Sequence, residues 1–248
     1  MTAIAWLPTA GDPTAFPSPQ DALQEPDGLL AVGGDLRPRR LLAAYVRGIF
    51  PWYDEGQPIL WWSPDPRAVL WPEDLHISRR LARTLRKLDL RFSADSVFDR
   101  VIEACAAPRS KSAGTWITQD MVDAYRRLHE MGWAHSFEGW LGDHLAAGLY
   151  GVAIGRVFFA ESMFTRVDNA SKAVLLNAVR YLKARSFELI DCQVRSEHLR
   201  TLGATTLPRP EFLELLRRHC TPPGEPGNWH RDHERLARQS TRAHTRES

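Results

Sequence analysis

Asp191 and Gln193 lie two residues apart in the short apolar run FELIDCQV. In a strand that spacing puts both on one face with Leu189, and turns Ile190 and Cys192 the other way. A carboxylate in such a run is costly to bury without a partner. It is either a structural acceptor or a base poised beside an amide that orients a substrate. Glu161, embedded in FFAESMF, is a second acid among aromatic rings, either a satisfied buried acceptor or a ligand for hydroxyl or amine groups. Basic charge gathers at Arg79, Arg80, Arg83, Arg86, Lys87 and Arg91, relieved only by Asp89. On a helix with Leu81, Leu85 and Leu88 inward, these cations form an outward face, either plain solvated surface or a footprint for a phosphate backbone. Finally, residues 48–72 interleave Trp52, Trp61, Trp62 and Trp71 with five prolines. That stretch is neither an ordinary helix nor a central strand, and its rings suit a core or a stacking platform.

Several chemistries are disfavoured. His129 and His135 are six apart, and no H-x-E or CxxC pairing occurs, so no metal site is expected. There is no G-x-S-x-G elbow and no Walker loop. The turn SMFTRVDNASKA lacks the glycine with which a helix N-terminus usually cradles a pyrophosphate, which weighs against an acyl-CoA donor, although Ser171 and Lys172 remain able to touch a phosphate. No cofactor is expected. Net charge is +2, so nucleic-acid contact has to rest on a local patch. Three widely spaced cysteines, the absence of a signal-like start, and the lack of an apolar run of roughly 18 residues point to a cytoplasmic protein away from membranes.

Around these residues the elements alternate. Asp35 is read as the cap of a short helix carrying Leu41, Leu42 and Tyr45 and ending at Gly48. HISRRLARTLRKLDLRF reads as a helix capped by Ser78, SADSVFDRVIEACAA as a second with Phe98, Val101, Ile102 and Cys105 on one side, and Thr118 caps a third that Gly132 closes. Three strands follow, AHSFEGWL, HLAAGLYGVAIG and RVFFAESMF, with Gly142-Asp143 and Gly155-Arg156 at the turns. NASKAVLLNAVRYLKARS is an amphipathic helix, FELIDCQV a buried strand and PEFLELLRRH a closing helix. The expected fold is α+β: a small N-terminal α/β domain over 1–65, then an acyltransferase-like (GNAT-like) domain over 66–220 with a mixed, mainly antiparallel sheet. The Pro/Gly-rich and then polar stretch 221–248 reads as a disordered tail.

Taken together, FPSPQDALQEPDGLLAVGGDL, LLAAYVRGIFPWY, QPILWWSPDPRAVLWP, HISR, GTWIT, AYRRLHEMGWAHSFE, GLYGVAIGRVFFAESMF, NASKA, LIDCQV and the later LGA resemble the leucyl/phenylalanyl-tRNA–protein transferases, in order from Phe16 to Ala204. The resemblance implies ribosome-independent transfer of leucine or phenylalanine, and methionine less well, from aminoacyl-tRNA to the α-amine of proteins beginning with Arg or Lys. Such transfer marks the acceptor for N-end-rule degradation, and the enzyme is expected to act as a monomer. It further implies Asp191 and Gln193 as the catalytic positions and Trp52 and Trp116 beside the 3′-terminal adenosine. Leu149, Phe158, Met163, Leu175 and Ile190 form the aminoacyl pocket with Glu161 as a polar contact. Arg79, Arg80, Arg83, Arg86 and Lys87 then become the tRNA-backbone face. The family's usual glycine before ESMF is Ala160 here.

An aminoacyl ester is already activated, so amide formation needs neither ATP nor a metal. The difficulty is an α-amine mostly protonated at neutral pH, with pKa about 7.7–8. Asp191, aided by Gln193, is expected to orient and deprotonate it, with the ribose hydroxyl of the tRNA as the open alternative. Trp52 is expected to be functional, and Trp61, Trp62 and Trp71 to pack between the two domains.

Overall fold

The structure, a computed structural model, describes residues 4–107 and 117–236. Chain order is β1 (Ala5–Leu7), β2 (Leu29–Gly33), α1 (Pro38–Tyr45), β3 (Phe50–Pro51), β4 (Leu60–Trp62), β5 (Arg67–Leu70), α2 (Arg79–Arg86), β6 (Arg91–Ala94), α3 (Phe98–Ala106), α4 (Gln119–Glu130), β7 (Ala134–Leu141), β8 (His144–Ile154), β9 (Val157–Thr165), α5 (Ala170–Ala184), β10 (Leu189–Gln193), α6 (Glu197–Arg200), β11 (Thr205–Leu207) and α7 (Arg209–His219). The class is α+β with two mixed sheets. The smaller has strand order β1-β2-β4-β3 and the larger β11-β5-β10-β9-β8-β7-β6. In the larger sheet only β9 and β10 run parallel, and the other pairings are antiparallel. Among the described residues no helix is long and apolar enough to cross a membrane.

The local signals explain most elements. Thr118 Oγ1 accepts the Met121 N–H at the start of α4, and Gly132 closes that helix at φ +78°. Ser78 caps α2 by accepting the Leu81 N–H. The first helix begins later than its expected Asp35 cap. Pro38 occupies the first helical turn, where its fixed φ is an asset, and it holds Arg37 extended at ψ 142°. Asp35 instead accepts the Arg37 N–H from outside the helix.

Two elements differ more from expectation. The helix read through LRKLDLRF stops at Arg86, and residues 91–94 form β6, the edge strand beside β7. Arg91 therefore leaves the basic face and lies over the Trp140 ring at 5.2 Å. The stretch 221–236 is ordered against the body of the protein, with Trp229 and His233 buried; residues 237–248 of the expected tail lie outside the described residues. A single indole supplies apolar area that the average composition of this polar segment conceals.

The core does not divide with the sheets. One cluster runs from Leu7 and Trp61 of the smaller sheet, with Phe16 of the β1–β2 connection, through Tyr45 to Val101 and Tyr125 of the helices and Phe159 of the larger sheet. A second, on the other face of the larger sheet, gathers Leu149, Phe158, Leu175, Leu182 and Ile190 beneath α5.

Candidate active site

The parallel pair β9/β10 is in register only over Val157–Phe159 and Leu189–Asp191. Beyond that, each strand is interrupted. In β9 the pairing to β8 jumps from Ala160 to Ser162, which leaves Glu161 as the extra residue of a bulge. Gly151 permits this crowding, since a Cβ there would sit 2.3 Å from the Phe159 carbonyl oxygen. In β10 the register to β5 shifts between Asp191 and Gln193, and Gln193 takes φ +62°. The two strands part, and a cavity of about 410 Å³ opens between them, a normal size for a small-molecule site.

All five residues expected for the aminoacyl pocket, Leu149, Phe158, Met163, Leu175 and Ile190, line this cavity. Leu70, Ala178, Val179 and Leu182 extend its apolar end, and Ala160 takes part in the wall. Glu161, Ser162, Gln193, Ser196 and His198 supply polar groups, and Trp52 stands at the rim, 41% exposed. Trp62 braces it: the rings are 5.9 Å apart, and the Trp62 indole N–H donates to the Trp52 carbonyl at 2.6 Å. Trp61 is wholly buried, donates to Gly33 and meets Phe16 edge-on, so it belongs to the core, while Trp71 is half-buried. Trp116 lies outside the described residues.

Asp191 departs from expectation. It is fully buried and absent from the cavity wall. Arg67 grips it with two bonds, Nε to Oδ1 at 2.8 Å and Nη2 to Oδ2 at 2.7 Å. The guanidinium is itself buried between the Phe50 and Phe212 rings. Both carboxylate oxygens are thereby engaged by one guanidinium, and neither faces the cavity. Its remaining contact is the Gln193 N–H, which donates to Oδ1 at 2.9 Å. Strand alternation holds as far as Asp191 and breaks at the bulge. Asp191 thus positions the Gln193 backbone, and the Gln193 side chain alone reaches the cavity.

There Gln193 Nε2 donates to Glu161 Oε1 at 2.8 Å. That bond fixes which way the amide faces and leaves its carbonyl oxygen to accept from a bound group. Tyr45 donates to Oε1 at 2.7 Å and Tyr125 to Oε2 at 2.8 Å, and the two tyrosine hydroxyls also bond each other. Three oxygen–oxygen contacts close this ring, while two hydroxyl protons fill only two of them. Protonating Glu161 supplies the third. Burial likewise pushes its carboxyl up to about 7, opposed by the tyrosine and Gln193 hydrogen bonds and reinforced by the Asp191 charge. Burial and the Glu161 charge hold both tyrosines well above their usual range, so they stay donors. Cys192, also in the wall, is pushed up to about 12 by burial and remains a thiol. His198 is lowered by burial and by Lys172.

The set can hold an apolar acyl group in the apolar end and present an amine to Gln193 Oε1 with Glu161 as proton acceptor. On the outside, Arg79, Arg80, Arg83, Arg86 and Lys87 are all exposed on or just after α2. Leu81 packs toward the second core cluster and is only half-buried, as are Leu85 and Leu88.

Sequence reasoning missed Tyr45, Tyr125, Arg67, Ser196 and His198 as site residues. Tyr45 and Glu161 are 116 residues apart, and no local pattern links them. Arg67 carried a usable signal, since a charge opening the buried run RAVL requires a buried partner.

Comparison with known proteins adds three findings. The family model described as leucyl/phenylalanyl-tRNA protein transferase matches residues 69–217, and that of its N-terminal domain matches residues 34–65. A leucyl/phenylalanyl-tRNA–protein transferase of Anaeromyxobacter sp. (strain K) is 58% identical over 216 residues, 87% of this chain and 92% of that protein, and one of Nitrosospira multiformis is 52% identical over 233 residues, 94% and 99%. Among solved structures, a GCN5-related N-acetyltransferase from Kribbella flavida aligns at 11% identity and TM-score 0.35, over 68% of this chain and 60% of that one.

Proposed function

The chain belongs to the leucyl/phenylalanyl-tRNA protein transferase family of aminoacyltransferases, and from that premise we propose that it moves leucine or phenylalanine, and methionine less well, from aminoacyl-tRNA to the α-amine of proteins beginning with Arg or Lys. The product is marked for N-end-rule degradation, and a reaction fed by charged tRNA belongs in the cytoplasm. The donor side chain enters the apolar end of the cavity among Leu149, Phe158, Met163, Leu175 and Ile190. Trp52 gives the terminal adenine a face, with Trp116 as its expected companion. Arg79, Arg80, Arg83, Arg86 and Lys87 take the tRNA backbone.

In the chemical step the amine nitrogen attacks the ester carbonyl. The C–N bond forms, the C–O bond to the ribose breaks, and the ribose oxygen leaves as a hydroxyl. Gln193 Oε1 holds one amine hydrogen, and Glu161 takes the proton the amine must lose and returns it to the departing ribose oxygen. Asp191 and Arg67 act at one remove, by fixing Gln193. Glu161 is also the one carboxylate in the cavity wall among the described residues, and so the available negative charge for a cationic N-terminal residue.

The observation that carries this reading is the Gln193–Glu161 pair held at 2.8 Å across the opening between two strands, beside an apolar pocket. The test offers labelled Leu-tRNA, Phe-tRNA or Val-tRNA to a protein with N-terminal arginine and to one with N-terminal glycine, without ATP or ribosomes. Label passing from Leu- and Phe-tRNA to the arginine acceptor alone is the expected result. Tight, salt-sensitive tRNA binding without transfer would reduce the protein to an RNA-binding module.

A further inference from the structure

The segment that follows α7 lies beyond residue 217, where the match to the family model ends. It is strapped down at several points. Gly227 N–H donates to the Gly132 carbonyl at 3.1 Å, and a Cβ at Gly132 would meet Gly227 N at 2.4 Å. His233 Nε2 bonds Asn177 Oδ1 at 2.8 Å, next to Ala178 of the cavity wall, and Asp232 pairs with Arg185 at 2.7 Å. Between these anchors Trp229 is buried, its backbone N–H donating to Asp95 Oδ2 at 2.7 Å and its indole stacked on His135 at 3.5 Å. The indole lies 6.3 Å from the Phe158 ring, centroid to centroid, and 5.3 Å from that of Tyr181 on α5.

We propose that Trp229 is a specificity-determining residue: standing behind Phe158, it sets the depth of the pocket for the donor side chain. The inference rests on the function proposed above. Protein interiors are packed without slack, so a wall residue stands where the residue behind it allows. Phe158 is 1% exposed and lines the cavity, and the indole lies at its back. A smaller residue at 229 leaves space into which the Phe158 ring recedes. The pocket then deepens, the larger phenylalanine side chain gains room, and leucine loses contact.

The experiment compares the full-length wild-type chain with Trp229→Leu and Trp229→Phe, measuring kcat/KM for Phe-tRNA and Leu-tRNA with an arginine-initiated peptide, and the melting temperature of each. The ratio of the two donors is the readout, because a lower folded fraction reduces both alike and cancels. About one methylene of fit is at stake, so the Phe/Leu ratio is expected to rise about tenfold in Trp229→Leu and less in Trp229→Phe. A ratio within about twofold of wild type in a folded variant, or one shifted toward leucine, overturns the proposal. So does a failure of both variants to fold, which would make the indole a structural staple alone. Wild-type protein that transfers neither amino acid would instead overturn the function on which the inference stands.

Discussion

Replacing Glu161 by glutamine keeps shape and burial but removes the group proposed to take the proton. On the proposed mechanism two groups must be deprotonated for attack: the acceptor amine, at about 7.7–8, and Glu161, at about 7. Below both values log(kcat/KM) should therefore climb with a slope approaching about 2 per pH unit. Glu161 is about 10% ionised at pH 6 and about 90% at pH 8, so the inflection falls inside an accessible window. Glu161→Gln should lower the rate at pH 8 by about 10²–10⁴-fold, the usual worth of a positioned base. It should also reduce the slope to about 1, with the amine as the sole titrating group. Single-turnover transfer of phenylalanine to an arginine-initiated peptide between about pH 5.5 and 9 isolates the chemical step. A Glu161→Gln enzyme that kept the double slope, or lost less than about threefold at pH 8, would refute the assignment. Stability gives a second reading. The folded state holds the Glu161 proton more tightly than the unfolded chain, so the contribution of Glu161 to unfolding free energy is greatest below about 4.5 and declines until pH passes about 7. That 2.5-unit difference corresponds to about 3 kcal/mol. The decline should be absent from Glu161→Gln.

Other perturbations test the surrounding parts. Arg67→Met leaves Asp191 buried without its cation and should cost about 3–5 kcal/mol in denaturant unfolding; adding Asp191→Leu should restore most of that stability but not turnover, since Gln193 still lacks its anchor. Trp52→Ala should raise KM for aminoacyl-tRNA by the equivalent of about 1–3 kcal/mol, with the melting temperature unchanged because the ring is 41% exposed; a matching fall in melting temperature would mean the ring only packs. Arg83→Ala with Arg86→Ala should flatten the dependence of log Kd for tRNA on log salt by about one to two units, and an unaltered slope would remove α2 from the interface.

Elements whose signals are local were legible. Strands β7, β8 and β9 and the cap and stop of α4 follow from apolar, aromatic-rich runs, turn glycines and Thr118, each a property of a few neighbouring residues. β6 was not, because RFSA is four residues long at a sheet edge, and its arginine continues the basic pattern of the preceding helix. The pocket residues were found through the resemblance of whole segments, and the structure brings Leu149, Phe158, Met163, Leu175 and Ile190 to one cavity. What failed was the inference from alternation: Asp191 and Gln193 share a face only in a regular strand, and the backbone at Gln193 turns to φ +62°.

By itself the sequence determined which side chains were available and the periodic elements that carry them: an acid and an amide two apart, a second acid among aromatics, a basic helix and a ring-rich connector. The tertiary structure decided their surroundings. It gave Asp191 to Arg67, 124 residues away, and closed a ring of hydroxyls around Glu161 with Tyr45 and Tyr125. The reason is that basicity depends on burial and on charges and hydrogen bonds within a few ångströms. Those neighbours come from distant parts of the chain and meet only when two bulged strands part.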